Sequence, residues 1–196
     1  MGTRNLTIVH VDGSYKLAQY GQWDGYPSGQ GITCLEFLRD KMDEKKFLSA
    51  LRECSFISAE ELSALWQKYT KSTDGWVTLD EANRFGHDYP EFYRNTGAEI
   101  LSLVQDGGVR RLHNEIDFAA DGLLCEWAWV IDFDTRTFEA YEGFNKEETT
   151  EQDRFFFLKD KEKDGYSVVK LRASFSLDNL PSNEDFLAEF GEEEDE

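Results

Sequence analysis

The sequence predicts a single-domain α+β protein, in which a helical middle segment packs on an antiparallel sheet built from N-terminal, central and C-terminal hairpins. Two observations lead to this class. Apolar residues alternate with polar ones near both ends of the chain, whereas the middle carries apolar residues at helical spacing. Strands that are segregated from helices favour α+β over a doubly wound parallel sheet. The 196 residues suit one domain, which we expect over residues 1–183, followed by an acidic C-terminal tail over residues 184–196.

The first predicted element is a β-hairpin. Residues 5–11 read NLTIVHV and alternate between two faces, and residues 15–20 return with the sequence YKLAQY. Asp12 and Gly13 stand between them. This dipeptide is a strong signal for a two-residue turn because both residues accept positive φ angles.

Helical signals fill the middle of the chain. Residues 32–41 and 43–53 carry leucine and phenylalanine at helical spacing. Three S/T-x-x-E sequences follow. Each predicts a capping box at the first turn of a helix, because the hydroxyl and the carboxylate bond reciprocally to unpaired backbone N–H groups. The three pairs are Ser58 with Glu61, Thr78 with Glu81, and Thr96 with Glu99.

Strand signals return after these helices. Residues 123–133 alternate between apolar and polar side chains, and we expect them to pair with residues 137–141 as the central hairpin. Residues 154–158 and 166–175 form the predicted C-terminal hairpin. A short helix is expected over residues 183–190, ahead of the acidic end.

Charge and cysteine content narrow the possible functions. The chain has 40 acidic and 21 basic residues, for a formal charge of −19. Such a protein repels the phosphate backbone on average, so we expect no nucleic-acid partner. The sequence has no apolar run long enough to span a membrane, so we expect no membrane partner either. Three cysteines without a CxxC spacing favour a cytoplasmic protein without disulfides.

A glycine-rich loop with two large aromatic residues is the predicted ligand-binding site. Residues 21–31 read GQWDGYPSGQG, and the candidate binding residues are Gln22, Trp23, Asp24 and Tyr26. The two aromatic rings can form a wall, Asp24 can orient a ligand, and glycines let a ligand approach the backbone. The alternative is a tight turn whose aromatic residues pack against the edge of the sheet.

The stretch YGQWDGYPSGQG at residues 20–31 resembles the signature of an uncharacterised family of small phage, bacterial and fungal proteins, in which an N-terminal hairpin precedes a WDGYP loop. The sequences EWAWVID at residues 126–132 and RNTGA at residues 94–98 resemble two further landmarks of that family. The resemblance implies a shared fold, a shared site at the loop and an association with phages or mobile elements. It carries no established activity.

Cys34 offers a route to hydrolytic chemistry beside this loop. It lies in the first turn of the helix that follows the loop, where the helix dipole favours a thiolate. His10 is the histidine nearest in sequence that can act as its base. The alternative is a cysteine buried in the core, which is the commoner place for this residue type.

Residues 70–81 follow the register of an EF-hand calcium loop in part. Asp74 and Glu81 occupy the fifth and twelfth positions, but Thr70 stands at the first position, where a carboxylate is expected. The capping box that Thr78 forms with Glu81 explains the same residues without an ion. We therefore predict no calcium site here.

Asp132 and Asp134 make a DxD sequence at the end of a predicted strand, and period two places both on one face. Metal sites of this kind need a third ligand, and no histidine or carboxylate stands at a suitable sequence spacing. We interpret the two residues as part of a solvated hairpin turn. The sequence thus leads to no metal and no cofactor.

These observations favour a non-enzymatic binding or inhibitor protein that uses its acidic surface against a basic partner. The alternative is a hydrolase or a small-ligand-binding protein with its site at Trp23, Asp24, Tyr26 and Cys34. A pocket at the loop with Cys34 facing His10 favours the alternative. The identity of the partner and the oligomeric state do not follow from the sequence.

Overall fold

The structure is a computed structural model that describes residues 2–70 and 76–191. Within those residues the strands are β1 (Asn5–Val11), β2 (Ser14–Gly21), β3 (Ser55–Phe56), β4 (Arg111–Leu112), β5 (Trp127–Asp132), β6 (Thr137–Glu142) and β7 (Lys170–Ser176). The α-helices are α1 (Ile32–Glu36), α2 (Glu44–Glu53), α3 (Ala59–Trp66), α4 (Leu79–Asp88), α5 (Ile100–Gln105) and α6 (Asn183–Phe190). Five strands form the central sheet, in the order β2–β1–β5–β6–β7, and β3 pairs separately with β4.

Antiparallel pairs make up most of the central sheet. β1 pairs with β2 through the turn at Asp12 and Gly13, whose φ angles are +54° and +69°. These are the positive values that an Asp-Gly turn adopts readily. β5 pairs with β6 from Trp127 opposite Glu142 to Asp132 opposite Thr137. β7 lies antiparallel along the other side of β6.

The centre of the sheet is parallel, so the prediction of a fully antiparallel sheet is wrong there. β1 runs parallel to β5, with Asn5 opposite Trp127 and His10 opposite Asp132. Parallel neighbours need a long crossover connection instead of a tight turn. The chain between β2 and β5, which contains five of the helices, provides that crossover. The fold is therefore a mixed sheet with helices.

Two of the three predicted capping boxes are present. Ser58 begins α3 and Thr78 begins α4, and in each case the hydroxyl accepts the backbone N–H of the glutamate three residues later. The box predicted at Thr96 is absent, because its hydroxyl donates to the carbonyl of Pro90 instead. A single 3₁₀ turn over Gly97–Glu99 then leads into α5.

The predicted C-terminal hairpin is wrong in its first half. Residues expected to form a strand lead into a 3₁₀ helix over Phe156–Lys161, and only β7 joins the sheet. The backbone turns before the expected strand can extend, since Asp153 accepts the N–H of Thr150 through its side chain and that of Phe156 through its carbonyl. The turn buries Phe155, whereas Phe157 stays exposed.

The sheet separates two apolar cores. On the first face, Trp129 is fully buried and lies in the same core as Leu35, Phe47 and Leu101, which come from α1, α2 and α5. The second core has Ile8 and Val130 on the sheet, and the 3₁₀ segments cover it with a further set of buried residues: Ile116, Ala119, Ala120, Phe155 and Leu158.

The short helix predicted over residues 183–190 is present as α6 and packs on the first face. Phe186 and Leu187 are buried, and the Phe186 ring stacks on Phe138 with their centroids 5.9 Å apart. The predicted acidic tail thus begins inside a helix that contributes to the core. Residues 192–196 lie outside the described residues. Across the described chain, no helix has both the length and the apolar character needed to cross a lipid bilayer.

Candidate functional site

Hydrogen bonds tie the WDGYP loop to the N-terminal segment and to the core. The N–H of Gly25 donates to the carbonyl of Thr3 at 2.9 Å, and the side-chain amide of Asn5 donates to the carbonyl of Trp23 at 3.2 Å. The indole N–H of Trp129 donates to the carbonyl of Gly25 at 3.0 Å. The loop is therefore a fixed part of the fold.

The glycines of this loop allow close approach between backbone segments. A Cβ atom on Gly25 would lie 2.7 Å from the carbonyl oxygen of Thr3, and one on Gly29 would lie 2.1 Å from that of Asp24. Both distances are shorter than a Cβ atom tolerates. At these two glycines, the protein's own backbone thus lies where the sequence interpretation expected a ligand to approach.

The four predicted binding residues lie in this loop, and each has a hydrogen-bond partner within the protein. The carboxamide of Gln22 accepts the hydroxyl of Tyr20, and the indole of Trp23 donates to Asn95. The hydroxyl of Tyr26 donates to Asp24 at 3.2 Å. The aromatic rings remain accessible, since Trp23 is 46% and Tyr26 38% exposed.

Cys34 is separated from its candidate base His10 and is buried in the core, as the alternative interpretation has it. The thiol is fully buried on the first face, beside Thr7 of β1. His10 belongs to the opposite face, because side chains at odd and even positions of a strand point to opposite sides. Burial raises the pKa of the Cys34 thiol to about 12. The Cys34–His10 pair is therefore not formed, and the thiol stays protonated at neutral pH.

We expect Cys34 to resist a thiol-specific reagent such as DTNB in the native protein, because a buried protonated thiol is a poor nucleophile. Cys54 is partly exposed and provides an internal reference for a thiol that the reagent can reach. Peptide mapping after a short exposure should find label at Cys54 and none at Cys34. Rapid native labelling of Cys34 contradicts this prediction and restores the hydrolase hypothesis.

Part of the calcium-loop register, residues 71–75, lies outside the described residues. At its far end, Glu81 is buried and accepts both the N–H and the hydroxyl of Thr78. This carboxylate therefore acts in the cap of α4.

A polar cluster at one end of β1 and β5 was missed by the sequence interpretation. It contains a histidine, three carboxylates, a tyrosine and an arginine, and we call it the His10 cluster: His10, Asp132, Asp134, Glu139, Tyr141 and Arg154. The imidazole Nδ1 lies 3.4 Å from Asp132 and 3.3 Å from Asp134. The DxD sequence thus does meet a histidine, which arrives through the parallel pairing of β1 with β5.

Arg154 links the two most buried carboxylates of the cluster. Its guanidinium lies 2.7 Å from Asp132 and 2.9 Å from Glu139, and it also donates to the hydroxyl of Tyr141. Burial acts against the charged form of Asp132, but the N–H of Thr135 and the guanidinium outweigh it and lower the pKa of this carboxyl. Burial and the adjacent Glu139 raise the pKa of Tyr141. Asp132 is therefore ionised and Tyr141 neutral near pH 7.

Beside α3 and α4 lies a mainly apolar groove with a cavity of about 440 Å³. Trp66 and Phe92 contribute to its wall, and Val77 and Leu79 on its rim are exposed. Arg94 also lines the groove, and its guanidinium has no ion pair with a described carboxylate. The predicted WDGYP residues do not line this cavity.

Comparisons of the chain with protein-family models, with curated proteins and with solved structures give no match.

Proposed function

We propose that the chain is a cytoplasmic, non-enzymatic binding protein that engages a basic partner through its acidic surface. The observation that carries this proposal is that most basic side chains already form ion pairs within the protein. Most lysines and arginines of the described residues lie within 4.0 Å of a carboxylate of the same chain. With 40 acids against 21 bases, a surplus of carboxylates remains for a partner.

The surplus includes exposed carboxylates on α6. Glu184 and Glu189 are exposed and have no ion pair among the described residues, and five more acids follow at residues 192–196. A second group lies in the loop after β6, where Glu147 and Glu151 are also exposed and unpaired within the described chain. Exposed carboxylates without an ion pair favour association with a positively charged surface.

The environment of the candidate nucleophile supports binding over hydrolysis. Cys34 is buried, and its thiol is protonated at neutral pH. A small ligand at the WDGYP loop remains the second candidate, because Trp23 and Tyr26 are partly exposed there. That candidate depends on aromatic contact and predicts little sensitivity to salt.

A fluorescent ten-residue oligolysine peptide is a suitable probe for the acidic surface. We expect its affinity to fall by about tenfold or more between 50 mM and 0.5 M salt, since exposed charges are strongly screened at the higher concentration. A chain that ends at Gly191 lacks five acids and should bind more slowly. Its melting temperature should be unchanged, because α6 is retained.

The double variant Glu184→Gln and Glu189→Gln tests the α6 patch, and Glu147→Gln with Glu151→Gln is the matched control with the same change in charge. A larger loss of affinity in the α6 variant supports α6 as the contact surface. Equal losses reject that surface, and an affinity unchanged by salt overturns the electrostatic proposal and favours the WDGYP loop.

A further inference from the structure

We propose that His10, Asp132 and Asp134 form a binding site for one divalent transition-metal ion of the Zn²⁺ class. These three residues come from β1, from β5 and from the turn that follows β5. The proposal goes beyond the binding function proposed above and does not depend on it.

The distances from the histidine nitrogen to the two carboxylate oxygens suit tetrahedral coordination. Nδ1 of His10 lies 3.4 Å from Oδ2 of Asp132 and 3.3 Å from Oδ2 of Asp134, and all three atoms lie within 4.8 Å of one another. A tetrahedral Zn²⁺ ion with bonds of about 2.0–2.1 Å holds neighbouring ligands roughly 3.3–3.4 Å apart. One ion can therefore bridge the imidazole to both carboxylates after small movements.

The imidazole nitrogen is buried without a hydrogen-bond partner. Nδ1 of His10 exposes less than 1 Å² and forms no hydrogen bond with the described residues. The edge of the ring meets Tyr15, with the centroids 4.9 Å apart, so the ring is held in place. The two carboxylate oxygens lie within ion-pair distance of this nitrogen but without the geometry of a hydrogen bond. A metal ion would use its lone pair.

Backbone groups orient both carboxylates toward the histidine. Oδ1 of Asp132 accepts the N–H groups of Asp134 and Thr135, at 2.9 and 3.0 Å. The carboxylate of Asp134 accepts the N–H groups of Asp12 and Gly13, at 2.9 and 2.8 Å. Hydrogen bonds of this kind hold metal ligands in position before the ion arrives.

The charge of the cluster also favours a divalent cation. Asp132, Asp134 and Glu139 supply three negative charges, and Arg154 supplies one positive charge. Apart from the imidazole, these groups therefore have a net charge of −2. Arg154 already bonds Oδ2 of Asp132 at 2.7 Å, but a carboxylate oxygen has a second lone pair for the ion.

The site has one accessible side. The side chain of Asp134 is 38% exposed, whereas that of Asp132 is 3% exposed. An ion can enter past Asp134, and a water molecule can take the fourth position from the same side. Imidazole ligation favours zinc and similar transition metals over Ca²⁺ or Mg²⁺, which prefer oxygen ligands.

The test uses the full chain without a histidine tag, stripped of metal and titrated with Zn²⁺ by calorimetry. We expect one equivalent to bind, with a rise in melting temperature of about 5–10 °C at a hundredfold excess over Kd. Substitution by Co²⁺ should give the strong visible absorption of a tetrahedral centre. No binding by the wild-type chain overturns the proposal.

Variants separate this site from adventitious binding. His10→Gln should weaken Zn²⁺ binding by about a hundredfold or more, because it removes the only imidazole ligand. His113→Gln is the matched control, since it changes another histidine that lies outside the cluster, beside Glu115. Asp134→Asn, at an exposed turn, provides a second loss-of-ligand variant should His10→Gln fold poorly. Equal affinity in the His10, Asp134 and His113 variants rejects the site.

Discussion

Replacing Arg154 with leucine should lower the free energy of unfolding by about 3–5 kcal/mol, because the change leaves buried carboxylates without their cation. Asp132 is 2% and Glu139 8% exposed, so neither carboxylate has much contact with water to compensate for the lost guanidinium. Urea denaturation of the two proteins at neutral pH measures the effect.

Arg172→Leu is the matched control for this variant. Arg172 is exposed and lies 3.9 Å from Glu142 at the surface, where an ion pair contributes about 0–1 kcal/mol. We expect the control to unfold at nearly the wild-type urea concentration. An Arg154 variant as stable as the Arg172 variant contradicts a structural role for the buried ion pairs.

The effect of Arg154→Leu should also depend on pH. In the wild-type fold the pKa of Asp132 is lowered, so this carboxyl contributes stability that is complete above its unfolded pKa of about 3.9 and is lost as the pH falls through the folded value. Without the guanidinium, burial dominates and favours the protonated form. The stability difference between the two proteins should therefore be full near pH 7 and narrow in acid. A difference that is constant down to pH 3 contradicts this account.

Features of local chemistry could be predicted from the sequence. The turn at Asp12 and Gly13 depends on the φ angles those two residues accept, and the capping boxes at Ser58 and Thr78 depend on side chains three residues apart. Each of these interactions joins residues that are only a few positions apart in the sequence. Thr96 shows the limit of such patterns, because a nearby carbonyl, that of Pro90, competes for the same hydroxyl.

The pairing of distant strands could not be predicted in the same way. Alternation along β1 shows which side chains share a face, but it does not identify the neighbouring strand or its direction. His10 and Asp132 are 122 positions apart in sequence and become neighbours only through the parallel register of β1 and β5. A sheet that is assumed to be purely antiparallel does not predict this register, so the His10 cluster could not be found from the sequence pattern.

The WDGYP loop illustrates an ambiguity of composition. Glycine permits close approach whether the approaching group is a ligand or another part of the backbone. At Gly25 and Gly29 the group is the chain itself, through the carbonyls of Thr3 and Asp24. The glycines thus indicate a place of close packing in the sequence. Whether a ligand or the backbone packs against them depends on the fold.

Phe186→Ala should destabilise the protein by about 3–5 kcal/mol, the usual cost of removing a buried phenylalanine ring. The Phe186 ring is fully buried among Phe138, Phe175 and Trp129, with centroid distances of 5.9, 5.2 and 5.9 Å. Acids dominate residues 184–196, so composition alone assigns this segment to a solvated tail, although helical spacing places its apolar side chains on one face.

Phe144→Ala is the control for the Phe186 variant, since Phe144 is 54% exposed and its removal should cost about 1 kcal/mol or less. Urea denaturation at neutral pH compares both variants with the wild-type chain. A large loss at Phe186 alone means that α6 belongs to the cooperative fold, so the solvated part of the acidic segment begins after this helix. Similar small losses in both variants mean that α6 unfolds independently and that the whole stretch from residue 184 behaves as a tail.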